Sequence, residues 1–312
     1  MLIQRGANVS ARNEAGCTPL HEAVLAPDSA RITALLIKHG ADLNAKDNED
    51  RTPLHKASSM GHIEHCKALL DIGADINALD QSKCRPEKNN LSPLKGSIGI
   101  GDSALHYAIV AGNIEMCTFL LDRGIDLNIK SSLGKPIVHF ACHHKKYEIC
   151  GLLIDRGAKI DALDYKHMQI QQNPSSTPVK VIKNPLIKKQ PQTASHVISL
   201  TYSETALQSA ARSGNSEACV LLISKGAEVN AADEIFGNTA LHLAAREGYY
   251  DICHLLLQYM KNKEDINKRN KYFDNENILN KEETVLHIAV HYEHWDLCVL
   301  FIEYQANPQL LN

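Results

Sequence analysis

Histidine and cysteine carry most of the chemical potential of this chain, with sixteen and nine copies among 312 residues. His139, Cys142, His143, His144 and Cys150 crowd into one short stretch and include the nitrogen and sulfur ligands that zinc takes. Their spacing fits no common zinc arrangement. Cys66, Cys117, Cys150, Cys219, Cys253 and Cys298 recur in a single register of the sequence. A ladder of thiols could serve redox chemistry, or supply a small apolar side chain between packed helices. A disulfide needs Cα atoms within about 7 Å, whereas stacked helices lie about 8–10 Å apart. The ladder therefore reads as packing. Cys17 and Cys84 fall outside it, in a turn and an insertion, with nothing nearby that marks a reactive thiol.

Other catalytic signatures are absent. There is no glycine-rich phosphate loop, no Ser-His-Asp order, no HExxH and no CxxC pair. The expectation is a chain that is not an enzyme, with no catalytic residue, no metal and no cofactor. Net charge is −3, which gives no electrostatic case for nucleic acid. No apolar run approaches 18 residues, so no direct membrane insertion is expected. The odd cysteine count, without short paired spacings, points to a reducing compartment, the cytoplasm or alternatively the nucleus.

The elements that position these residues come from a repeat. One phrase recurs as Thr18-Pro19-Leu20-His21, Thr52-Pro53-Leu54-His55, Ser103-Ala104-Leu105-His106, Pro136-Ile137-Val138-His139, Thr205-Ala206-Leu207-Gln208, Thr239-Ala240-Leu241-His242 and Thr284-Val285-Leu286-His287. Successive starts lie 34, 51, 33, 69, 34 and 45 residues apart, so three intervals carry an insertion. A second phrase follows: His39-Gly40-Ala41-Asp42, Ile72-Gly73-Ala74-Asp75, Arg123-Gly124-Ile125-Asp126, Arg156-Gly157-Ala158-Lys159 and Lys225-Gly226-Ala227-Glu228. Thr or Ser can cap the free N–H groups of a helix, and Pro at its first position sacrifices no bond. Gly61, Gly112, Gly214 and Gly248 end the first helix, and the glycine of the second phrase ends the second.

These phrases resemble the ankyrin repeat, over nearly all of the chain except the insertions. The resemblance implies an all-α fold, a solenoid of stacked helix-turn-helix units with β-turn tips, seven anchored repeats and a partial one before them. It also implies that the anchor histidine bonds within its own turn and to the neighbouring repeat. One helix pair cannot bury its apolar face alone, but stacked neighbours bury it jointly.

The organisation expected is a partial repeat plus two in residues 1–80, an insertion at 81–98 and repeats three and four in 99–164. A basic, proline-containing and flexible insertion at 165–203 then precedes repeats five to seven in 204–312. Between Tyr165 and Ser203 there are five Lys, four Pro and no acidic residue. Both ends suggest a segment of a longer protein. Met1-Leu2-Ile3 enters within a second helix, and Leu300, Phe301 and Ile302 have no repeat after them.

Ankyrin arrays hold protein partners on their concave face and turn tips. The expected function is a scaffold or adaptor for a protein partner. The candidate contacts are Asn13, Glu14, Asn48, Glu49, Asp50, Ser131, Ser132, Glu234, Ile235 and Phe236, with Phe236 as an exposed aromatic anchor. Two alternatives stay open: the substrate-recognition arm of a ubiquitin ligase, and the cytosolic ankyrin segment of a larger enzyme or channel. The resemblance also makes Asn44 and Asn77 candidates for asparaginyl hydroxylation, since each has an acidic residue two before it and Leu eight before it.

Overall fold

The computed structural model describes residues 6–80, 101–131, 134–171, 197–233, 236–272 and 281–307, with backbone only for 165–171, 197–202, 271, 272 and 281. The chain divides into two units, Met1–Ala162 and Leu163–Asn312.

In the first unit the helix pairs are α1 (Pro19–Ala23) with α2 (Ala30–Lys38), α3 (Pro53–Met60) with α4 (Ile63–Asp71), α5 (Ala104–Ala111) with α6 (Ile114–Asp122), and α7 (Ile137–His143) with α8 (Tyr147–Asp155). The second unit opens with an antiparallel ribbon of β1 (Asp164–Gln171) and β2 (Val197–Glu204), in which Met168 pairs with Leu200 and Ile170 with Ile198. It continues with α9 (Ala206–Arg212), α10 (Ser216–Ser224), α11 (Ala240–Glu247) and α12 (Tyr250–Tyr259). A short ribbon of β3 (Asn270–Tyr272) and β4 (Lys281–Glu283) precedes α13 (Val285–His291) and α14 (Trp295–Glu303). The fold is the expected all-α ankyrin solenoid, with two ribbons added where insertions leave the repeats. The flanks of the 165–203 insertion are thus strands, and its residues 172–196 lie outside the described ones.

Five of the first helices begin in the same way. The anchor backbone N–H donates to the ring three residues on: Thr18 to His21 Nδ1 at 3.1 Å, Thr52 to His55 at 3.0 Å and Thr239 to His242 at 3.2 Å. A ring nitrogen that accepts from an amide carries no proton, so the other nitrogen must be the N–H of a neutral imidazole. That Nε2 donates to the carbonyl preceding the next anchor, from His21 to Arg51 at 2.9 Å and from His55 to Asp102 at 3.1 Å. In repeat six His242 donates to Lys268 O at 3.1 Å. Burial is the main reason these rings stay neutral. It pulls His106 down to about 3 and His242 to about 4, and His21 and His55 also fall below the ordinary imidazole value. At the fourth anchor Pro136 has no N–H to give, and His139 there donates from Nε2 to Ala162 O at 2.9 Å.

The second helices α2, α4, α6, α8 and α10 close with the C-terminal motif that glycine permits. Gly40 has φ 82°, its N–H bonds Ile37 O at 3.0 Å, and Ala41 N–H bonds Leu36 O at 3.0 Å. Anchor leucines Leu20, Leu54, Leu105, Leu207, Leu241 and Leu286 are buried, as are Leu69, Leu120, Leu153, Leu222 and Leu256 of the second helices. Each such side chain contributes about 1.5–3 kcal/mol. All six ladder cysteines are buried with them, and the equivalent place in repeat one is taken by Thr33, whose hydroxyl meets His65 Nδ1 at 3.0 Å. Of the residues expected to lack cover, Leu300 and Phe301 are buried, because they face inward in their own repeat, and Ile302 is exposed.

The ends of the first insertion are clasped together. Asp80 N–H bonds Asp102 O at 3.1 Å, and Asp102 N–H bonds Asp80 Oδ1 at 2.7 Å. Exposed ion pairs join the ends of second helices across repeats, Arg123 to Asp71 at 2.8 Å and Arg156 to Asp122 at 2.6 Å. Solvent screening leaves each of these a minor contribution.

Candidate functional site

The turn tips are built around one inward residue each. Asp47 is buried, and its Oδ1 accepts from the N–H groups of Glu49 at 2.9 Å and Arg51 at 3.0 Å. Its Oδ2 meets Arg51 Nε at 3.0 Å and Lys56 Nζ at 3.5 Å. Burial opposes ionisation of Asp47, but the backbone N–H groups of Arg51 and Glu49 and the Arg51 guanidinium outweigh it, and the carboxyl sits below its ordinary range. Asp233 does the same in the second unit, accepting from Phe236 N–H at 2.5 Å and Asn238 N–H at 2.9 Å.

With Asp47 holding the turn, Asn48 and Glu49 stand exposed and Asp50 is half-buried in the left-handed conformation at φ 58°. Asn48 reaches the preceding tip, its N–H bonding Ala15 O at 3.0 Å and its Nδ2 bonding Glu14 O at 2.9 Å. Asn13, exposed in that tip, accepts from Cys17 N–H at 2.9 Å and donates to Glu22 Oε1 at 3.1 Å. Asn13, Glu14, Asn48, Glu49 and Asp50 therefore form one patch.

Ser131 does not belong to such a surface. It is fully buried and occupies the position of Asp47, with its Oγ accepting from Lys135 N–H at 3.2 Å. The Ser131 side chain closes its turn from within, so this tip begins one residue later than the sequence suggested. Phe236, expected as an exposed anchor, is half-buried. Ser132, Glu234 and Ile235 lie outside the described residues.

The first helices supply residues that the sequence reading passed over. Met60 at the end of α3 is 53% exposed and Val110 in α5 is 50% exposed. Tyr107 of α5 is half-buried, its hydroxyl bonding Asp80 Oδ2 at 2.7 Å. Exposed His143 follows at the end of α7. The available signal was an apolar residue seven or eight places after the anchor, outside the inward stripe.

The suspected ligand cluster does not converge. His139 is committed to Ala162 O, His144 packs its ring 4.5 Å from that of Phe140, and His143 faces solvent. Asn44 and Asn77 are exposed, but their Oδ1 atoms bridge repeats, accepting from Asp75 N–H and Asp126 N–H at 2.9 Å each.

The family model described as Ankyrin repeats (3 copies) matches residues 1–80, 83–164 and 180–270, and the model Ankyrin repeat matches residues 281–312. The chain belongs to the ankyrin-repeat family. No curated protein matches it. Ankyrin repeats serve protein–protein interaction in general, and proteins built from them are typically binding scaffolds without enzymatic activity. No helix among the described residues of this ankyrin-repeat protein is long and apolar enough to cross a membrane.

Proposed function

We propose that this ankyrin-repeat protein is a non-enzymatic scaffold or adaptor. In this reading it grips a protein partner on the exposed side of the first helices and on the adjoining turn tips of repeats one to three. The observation that carries it is the coincidence of Met60 and Val110, two large apolar side chains about half exposed on neighbouring first helices, with the polar patch from Asn13 to Asp50 on the same unit. An apolar centre with a polar rim is the composition of protein interfaces, and both parts are carried by rigid elements. The reducing compartment inferred from the sequence, cytoplasm or nucleus, suits the eight described cysteines, all free.

The test compares partners captured by the full chain, by Met60→Glu/Val110→Glu and by a chain lacking 165–203. A partner kept by the deletion and lost by the double variant supports the first-helix surface. A partner lost with 165–203 instead transfers recognition to the basic insertion. Hydroxylation of Asn44 and Asn77 is a separate proposal. Their exposure supports it, and a native mass spectrum without any gain of one oxygen on either peptide would count against it.

A further inference from the structure

Position six after the anchor and position fourteen meet inside the helix pairs of repeats two and four. In repeat two these are Ser58 and Cys66, with oxygen and sulfur 3.6 Å apart. In repeat four both are cysteines, and Cys142 Sγ lies 3.3 Å from Cys150 Sγ, inside the core between α7 and α8. At position six the other repeats of the ladder carry Ile109, Ala211, Ala245 and Val290, so two cysteines share one repeat in this register only once.

We propose that Cys142 and Cys150 are a modification site, a thiol pair that a hydroperoxide oxidises to a reversible disulfide clipping the end of α7 to α8. A disulfide has its sulfurs about 2.05 Å apart, so the two sulfurs, now 3.3 Å apart, must approach by little more than 1 Å for the bond to form. Cys142 is the less covered of the two, 6% exposed against 0% for Cys150. It sits in the last turn of α7, which is followed by Lys145 at φ 55°, where repeats two, three, five and six have glycine. A side chain in the left-handed conformation weakens that helix end, and its fraying gives an oxidant a route to Cys142.

The chemistry balances in two steps. Cys142, as thiolate, attacks one oxygen of hydrogen peroxide. The O–O bond breaks, sulfenic acid forms, and the departing hydroxide takes up the proton that the thiol had given to solvent and leaves as water. Cys150 then attacks the Cys142 sulfur, the S–S bond forms, and the sulfenic hydroxyl departs with the Cys150 proton as a second water. Peroxide gains the two electrons that the thiol pair loses. A dithiol reductant reverses the change by exchange.

Burial pushes the Cys66 and Cys117 thiols up to about 12, which keeps them protonated.

Trypsin makes the test direct, because Lys145 and Lys146 lie between the two cysteines. The folded full chain is treated with hydrogen peroxide, alkylated and digested without reductant. The expected product is a peptide of 131–145 joined to 147–156, about 2 Da lighter than the sum of the two and separating on reduction. Cys142→Ser, which installs the residue repeat two carries at Ser58, should eliminate this species and leave Cys150 alkylated. The proposal is overturned if the two peptides stay separate under peroxide that oxidises the exposed thioether of Met60. It is also overturned if they are joined only to other cysteines or between chains.

Discussion

Gln208 and His242 make the same pair of hydrogen bonds in successive repeats. Thr205 N–H donates to Gln208 Oε1 at 2.7 Å, as Thr239 N–H donates to His242 Nδ1 at 3.2 Å. Gln208 Nε2 donates onward to Ala231 O at 3.0 Å, as His242 Nε2 donates to Lys268 O at 3.1 Å. An amide that cannot ionise thus does the work of the imidazole, so the anchor needs one acceptor and one donor, and no charge.

Stability should therefore fall in acid. An unfolded imidazole titrates near 6.5, and buried His242 near 4. Between these values the unfolded chain binds the extra proton. The contribution is complete above the unfolded pKa and is lost as pH falls, by at most about 1.4 kcal/mol per pH unit for each ring. For His106 the same window extends down to about 3. Urea midpoints at pH 7 and pH 5 should differ clearly for the native chain, and less for His242→Gln. Equal pH dependence in the two proteins would show that this ring is not responsible.

Lys145 and Glu293 have φ 55° and 59° at the place where Gly61, Gly112, Gly214 and Gly248 end other first helices. Lys145→Gly and Glu293→Gly should each raise stability by about 1 kcal/mol, read as a higher denaturation midpoint with unchanged slope.

Gly248→Ala should do the opposite. Its φ is 77°, and a Cβ there would meet His294 Cε1 at 2.7 Å, on the ring that bonds back to Arg246 O. A loss of about 2 kcal/mol is expected. Because His294 belongs to the following repeat, the double variant Gly248→Ala/His294→Ala should recover part of that loss.

Thiol reactivity should divide sharply. Cys66 and Cys117, held protonated at about 12 by burial, should resist a disulfide reagent at pH 8 in the folded chain and react at once in denaturant. Prompt labelling of either while folded would contradict their place in the core.

Much of this was readable in the sequence, because the repeat fixes each position by its neighbours. The anchor phrase, recurring every 33 or 34 residues except across the three insertions, revealed cap, core leucine and inter-repeat bond together, and the glycine phrases marked the helix ends. Facts about relative phase were not readable. Nothing in the spacing of Cys142 and Cys150 shows that positions on two antiparallel helices meet, since that depends on how the pair rotates on packing. Ser131 was misplaced for a related reason, as the tip and the residue closing it are adjacent in sequence and point in opposite directions. The β1–β2 ribbon did leave a trace. Met168 and Ile170, and Ile198, Leu200 and Tyr202, alternate with polar residues. The lysines and prolines between them dominated the composition and concealed that alternation.

The clasp between Asp80 and Asp102 makes the junction of repeats two and three a docking port for protein engineering. Both of its hydrogen bonds, and the bridge from His55 to Asp102, are satisfied by residues of the stack itself. Lengthening a loop whose ends are already fixed costs little, about 0.6 kcal/mol per doubling. An affinity tag or reporter peptide spliced between these two aspartates would be carried as cargo, leaving the helices on either side in register.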